Sequence, residues 1–146
     1  MKRKEIIDLF LRTAFIEGKR FPVGRSCTYI QLNDELGVKC YIHDPVNRNH
    51  SFKTQKKLYK LKLAPKAHFK FDFRIPFFKP GKRKCYQINC FVTQHAEKCG
   101  GEYLKQLPEL YAALQQNGMS THDIAQRNCG LINNKLIIID CDWNST

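Results

Sequence analysis

No stretch of this sequence approaches a membrane span. Its longest apolar run toward the C-terminal end, Leu136 to Ile139, is far short of the ~20 residues that cross a bilayer. An export signal is not expected either, because Glu5 and Asp8 break up the segment after the basic Met1-Lys2-Arg3-Lys4 and no small-residue cleavage site appears. A soluble, cytoplasmic protein is the expectation. There is no internal repeat, heptad array or low-complexity tract, which excludes solenoids and coiled coils. Acidic residues are scarce: 13 Asp and Glu stand against 25 Lys and Arg, a net charge of +12, and none lies between Asp44 and Asp72. Such a chain attracts polyanions, whether nucleotide phosphates, nucleic acid, anionic lipid or acidic protein. The charge sits in short clusters, Lys53 to Lys70 and Lys79 to Lys84, and a plain solvated basic surface is the simplest account of it.

Cysteine, by contrast, is abundant. Seven in 146 residues is an odd count, and without an export signal it points to reduced thiols, most of them small buried hydrophobes. The one metal-like spacing is Cys85, Cys90, His95 and Cys99. Its first two members sit in an alternating strand pattern rather than a tight knuckle, so no structural zinc is expected. A chain of 146 residues with 42% hydrophobic and 12% aromatic residues can bury one core, and one domain is expected.

Hydrophobic periodicity supplies the elements. Ile6, Ile7, Phe10, Leu11, Ala14 and Phe15 form one helical stripe over residues 3–17, closed at Gly18. Cys27 to Leu32 and Val38 to Ile42 read as strands around the turn residues Asn33 to Gly37. Ser51 to Leu63 reads as a helix with a Ser cap, ended by Pro65. Ala67 to Arg74, with Phe69, Phe71 and Phe73 in alternation, and Cys85 to Val92 read as strands joined through Lys79-Pro80-Gly81-Lys82. After Gly100-Gly101, taken as a flexible connection, a helix over Leu107 to Gln116 is expected with Pro108 in its first turn and Gly118 as its cap. Leu131-Ile132 and Leu136 to Ile139 flank Asn133-Asn134-Lys135 as a hairpin.

Chemistry concentrates in Thr121-His122-Asp123-Ile124-Ala125-Gln126-Arg127-Asn128 and Leu136-Ile137-Ile138-Ile139-Asp140. An Asp five residues before an Asn, then a second Asp at the end of an apolar hairpin, suits phosphoryl transfer. The first Asp orients an acceptor hydroxyl, the Asn holds the loop and a Mg²⁺ ion, and the second Asp meets metal bridging the ATP phosphates.

The segment resembles the catalytic core of the protein-kinase-like superfamily, in a minimal form similar to small bacterial or phage-borne kinases. The resemblance implies an α+β fold: an N-terminal helix over 1–18, an antiparallel N-lobe sheet with a helix over 20–98, and a reduced C-lobe of one main helix plus a catalytic-loop hairpin over 100–146. It implies ATP and Mg²⁺ as cofactors. Asp123 and Asn128 would be catalytic, Asn128 and Asp140 would hold metal, and Gly24, Ser26 and Lys39 would hold nucleotide, with Cys90 to His95 leading into the hinge.

The departures shape the function expected. Thr121 stands where the kinase pattern has His, Asp140-Cys141-Asp142 replaces Asp-Phe-Gly, and the segment around Gly24 has one glycine where three are usual. The helix after Lys39 offers no Glu to pair with it, Gln55 being the nearest polar substitute. The chain closes six residues after Asp140, so no activation segment is expected. The leading expectation is a minimal kinase acting on a hydroxyl of a protein or small molecule. An impaired pseudokinase serving as a protein-interaction module is the alternative. A basic nucleic-acid-binding protein, with Phe69, Phe71 and Phe73 stacking on bases, is a third and less favoured one.

Overall fold

The computed structural model describes residues 1–15, 27–79, 81–122 and 124–140. It is α+β and divides into two compact units, Met1–Arg48 with His68–His95 and Asn49–Ala67 with Ala96–Thr146.

The first unit is a helix on a sheet. Helix α1 (Arg3–Phe15) buries Ile6, Phe10, Thr13 and Ala14, the stripe its spacing predicts; Gly18, its expected end, lies outside the described residues. Strands β1 (Thr28–Gln31), β2 (Leu36–Ile42), β3 (Ala67–Lys79) and β4 (Lys82–Gln94) form one sheet in the order β1-β2-β4-β3. The β1–β2 turn is set by Asn33, whose Oδ1 accepts the N–H groups of Glu35 and Leu36, both at 2.8 Å. β2 pairs antiparallel with β1 and β4, with Cys40 opposite Cys90 and Lys39 opposite Phe91. As inner strands, β2 and β4 are covered on both faces. One face presents Ile30, Val38, Cys40, Phe69, Ile88, Cys90 and Val92 to the core that α1 completes. Phe10 meets Phe71 and Phe73 edge-on, with centroids 5.4 and 5.6 Å apart.

Helix α2 (Pro45–Lys60) begins six residues before the expected Ser51. The start signal is Asp44-Pro45: Asp44 Oδ1 accepts the Asn47 N–H at 3.1 Å, and Pro45 fills the first helical position, where its missing N–H costs nothing. Ser51 is not a cap but a fully buried interior residue. In the first turn, buried Arg48 donates from one guanidinium nitrogen to Phe71 C=O, Asp72 Oδ1 and Cys90 C=O at 3.2, 2.7 and 3.0 Å. Asn89, also fully buried, donates to the same Asp72 oxygen at 3.0 Å and accepts the Asp44 N–H at 3.0 Å.

The second unit packs Leu58, Leu63, Ala64, Cys99, Leu110, Leu114, Met119, Cys129, Leu136 and Ile138 into its own core. Helix α3 (Glu102–Gln116) starts five residues before the expected Leu107, with Gly101 as its N-cap, so this glycine begins a helix rather than a flexible connection. Pro108 is therefore inside the helix. The carbonyl its ring deprives of a partner is that of Leu104, and both residues are exposed, so water can satisfy it. Gly118, at φ 72°, leaves the helix in the left-handed conformation expected of a C-terminal cap. Strands β5 (Glu97–Lys98), β6 (Cys129–Ile132) and β7 (Lys135–Ile138) form a second sheet in that order, separate from the main one. Asn133 and Asn134, at φ 51° and 64°, make the tight turn between β6 and β7.

Burial works to raise the Asp72 carboxyl, but hydrogen bonds from Arg48 and Asn89 and the charges of Arg48 and Lys70 hold it below the ordinary carboxylate range. A depressed folded-state value gives stability that is present above the unfolded value and lost as pH falls through the folded one. Arg48→Ala, which leaves the buried Cys90 carbonyl without this donor and removes the ion pair to the more exposed Asp72, should cost roughly 1–3 kcal/mol in urea denaturation at pH 7. Asp72→Asn should flatten the loss of stability on acidification.

Candidate functional site

Lys39 lies in the middle of β2, almost wholly buried, on the sheet face opposite α1. A buried ammonium needs compensation, and its Nζ sits 5.5 Å from the centroid of the Phe91 ring directly across the strand pair. Period-two alternation puts Gly37 and Tyr41 on the same face, and the registers add Tyr29 opposite Lys39 and Thr93 opposite Gly37. Tyr41 is fully buried and stacks on Phe91 at 6.5 Å. At the other end, the Tyr29 ring lies on Gly37 so closely that a Cβ there would collide with it. The ring also stacks on His95 at 5.8 Å, and its hydroxyl shares a hydrogen bond with His95 Nδ1 at 2.6 Å. The His95 backbone is tied in turn by its N–H to Glu35 C=O at 2.8 Å. Although 43% of Tyr29 is exposed, partial burial pushes the phenol up to about 12.

In the second unit, a single 3-10 turn, Gln126–Asn128, delivers Asn128 to the start of β6. Because Cys129 pairs with Ile138, the residues just outside the hairpin face each other, and Ile139 N–H donates to Asn128 C=O at 2.8 Å. Asn128 and Asp140, taken from the sequence as the metal pair, thus lie at the open end of the same hairpin, Asp140 one residue beyond the Asn128 partner Ile139, and both are half-buried. An amide oxygen and a carboxylate are hard donors that suit Mg²⁺, which typically takes one or two carboxylates and completes its shell with water and substrate phosphates. Among the described residues no group of three or more His, Cys, Asp or Glu side chains is gathered as a metal cage. The loop before the turn is held by Gln126 Nε2 donating to Cys99 C=O at 2.8 Å and by the Tyr103 hydroxyl donating to Ile124 C=O at 3.4 Å. Asp123, Gly24 and Ser26 lie outside the described residues.

Other sequence candidates have structural partners. Gln55 donates its amide to Pro65 C=O at 3.0 Å. The cysteines Cys27, Cys40, Cys85, Cys90, Cys99 and Cys129 are free thiols. Burial and the adjacent Cys90 push Cys40 well above its ordinary range, and burial with Cys99 nearby pushes Cys129 up to about 11. Phe69, Phe71 and Phe73 pack toward α1, not outward as a stacking platform. The Tyr29–His95 pair was missed at the sequence level. Its one sequence signal is Gly37, since a glycine within a strand marks close approach by another group. Comparisons with protein-family models, with curated proteins and with solved structures found no match.

Gly37→Ala should force the Tyr29 ring off the sheet. Ultraviolet titration, with Tyr29→Phe identifying the signal, is expected to show the phenol moving from about 12 back toward ~10. An unchanged titration would mean the ring does not depend on the glycine.

Proposed function

We propose that this protein is a kinase-like phosphotransferase that binds Mg²⁺-ATP and passes the terminal phosphoryl group to a hydroxyl of a protein or small molecule. The observation that carries the reading is the Ile139 to Asn128 backbone bond, which leaves an amide-bearing residue and, one position past its partner, a carboxylate-bearing residue at the open end of a hairpin that comes after a long helix. Further support comes from the first unit: an antiparallel arrangement with one helix between β2 and β3, and a lysine on the inner strand β2.

In this reading the fold is the minimal kinase-like one: the first unit corresponds to the N-lobe sheet, and α3 with the β6–β7 hairpin to the catalytic core of the other lobe. Lys39 would bind ATP phosphate oxygens, helped by backbone donors around Gly24 and Ser26. Asn128 and Asp140 would hold Mg²⁺, which supplies positive charge against the phosphates. Asp123 would orient the acceptor hydroxyl and take its proton as the new P–O bond forms and the bond from the terminal phosphorus to the bridging oxygen of ADP breaks.

A second reading, a pseudokinase working through a protein partner, draws on two observations. No acidic residue lies between Asp44 and Asp72, so α2 has no carboxylate to align Lys39. The glycine-floored part of the Lys39 face already holds an aromatic ring.

Calorimetric titration with ATP, with and without Mg²⁺, separates these readings. The kinase reading expects Mg²⁺-dependent binding that Asp140→Ala abolishes. Asp123→Ala should leave binding within a few-fold and reduce turnover by about 10²-fold or more, the scale of general acid–base assistance. ATP binding that ignores both Mg²⁺ and Asp140→Ala would refute the metal assignment.

A further inference from the structure

If ATP phosphates are held at Lys39, the described residues along β2 favour one direction for the rest of the nucleotide. Toward Tyr41 the sheet is fully buried and closed by the stacked Phe91 ring. Toward Gly37, two residues and about 6.5 Å along the strand, the floor is bare backbone, which is what a flat base needs in order to lie close. That place is taken by the Tyr29 ring, which reaches the Gly37 backbone, stacks on His95 and shares a hydrogen bond with it. A heteroaromatic base would make the same kinds of contact: a flat face against His95 and polar edge atoms for its ring nitrogens.

We propose that the Tyr29 side chain occupies the base subsite and that a nucleotide binds by exchanging its base for this ring against Gly37 and His95, an inference that rests on the phosphotransferase reading. The exchange is local. β1 is a four-residue strand paired with β2, at the end of the sheet order, and Tyr29 is substantially exposed, so a rotation about its side-chain bonds frees the floor without opening the α1 core. The apparent affinity is the intrinsic one scaled by the fraction of molecules with the ring out, so Tyr29 sets the nucleotide affinity of the site. It also biases the site toward bases large and flat enough to replace a phenol.

The test compares Mg²⁺-ATP with inorganic tripolyphosphate, which has phosphates but no base, in calorimetric titrations of the unmodified protein, Tyr29→Ala and Tyr29→Phe. Tyr29→Ala is expected to bind ATP about tenfold more tightly, the order set by losing one hydrogen bond and one ring stack that the base must displace, with tripolyphosphate affinity unchanged. Tyr29→Phe keeps the ring on Gly37 and loses only the hydroxyl. It should gain a few-fold, and it carries the test if the alanine variant does not fold. ATP binding that both variants leave unchanged or weaken would overturn this inference and leave the kinase reading standing, as would equal gains for ATP and tripolyphosphate. Failure of all three proteins to bind either ligand would remove the nucleotide reading and this inference together.

Discussion

The first unit depends on one buried guanidinium. Arg48 enters from the first turn of α2 and binds two strand carbonyls and a carboxylate from a single nitrogen. Burying such a cation is costly unless its donors are used, and leaving Phe71 and Cys90 carbonyls unpaired in its place would be costly too. The arrangement is thus held by mutual necessity. Asn89 extends it by linking Asp72 to the Asp44 backbone, so the residue that caps α2 and the ion pair that anchors it belong to one hydrogen-bonded chain. The neighbouring β2–β4 register puts Lys39 opposite Phe91, which sets its Nζ over that ring.

What was legible in the sequence is what local chemistry decides. The α1 stripe from Ile6 to Ala14, the Phe69, Phe71 and Phe73 alternation, the Asn33 turn and the Asn133-Asn134 turn each depend on a few neighbouring residues, and each appears where expected. The failures were choices between two competing local signals. Ser51 and Pro108 look like helix starts, but Asp44-Pro45 and Gly101 come first, and a long helix absorbs a buried Ser and an exposed Pro without ending. Strand β5 is two residues long and exists only because β6 pairs with it, which nothing in Glu97-Lys98 announces. Nothing local singles out Arg48, because its acceptors lie 23 to 42 positions away in the chain.

The candidate site divides the same way. The hairpin that separates Asn128 from Asp140 was readable because it is local and its register is fixed by the turn. Lys39 was readable only as a position in a strand; its burial and its ring partner come from the paired strand β4. Tyr29 and His95 are 66 residues apart, and no spacing rule connects them. They emerge once β1, β2 and β4 are aligned, and they are the feature that most separates this face from an open nucleotide floor.

The most direct measurement of the central claim is covalent labelling with an acyl phosphate of ATP, a reagent whose acyl group passes to an amine lying beside the bound phosphates and releases ATP. Peptide mapping of the labelled chain reads the site. The account predicts acylation of Lys39 that requires Mg²⁺ and is suppressed by excess ATP. Labelling spread over exposed lysines such as Lys53, Lys57 and Lys60, with Lys39 untouched and ATP without effect, would contradict it.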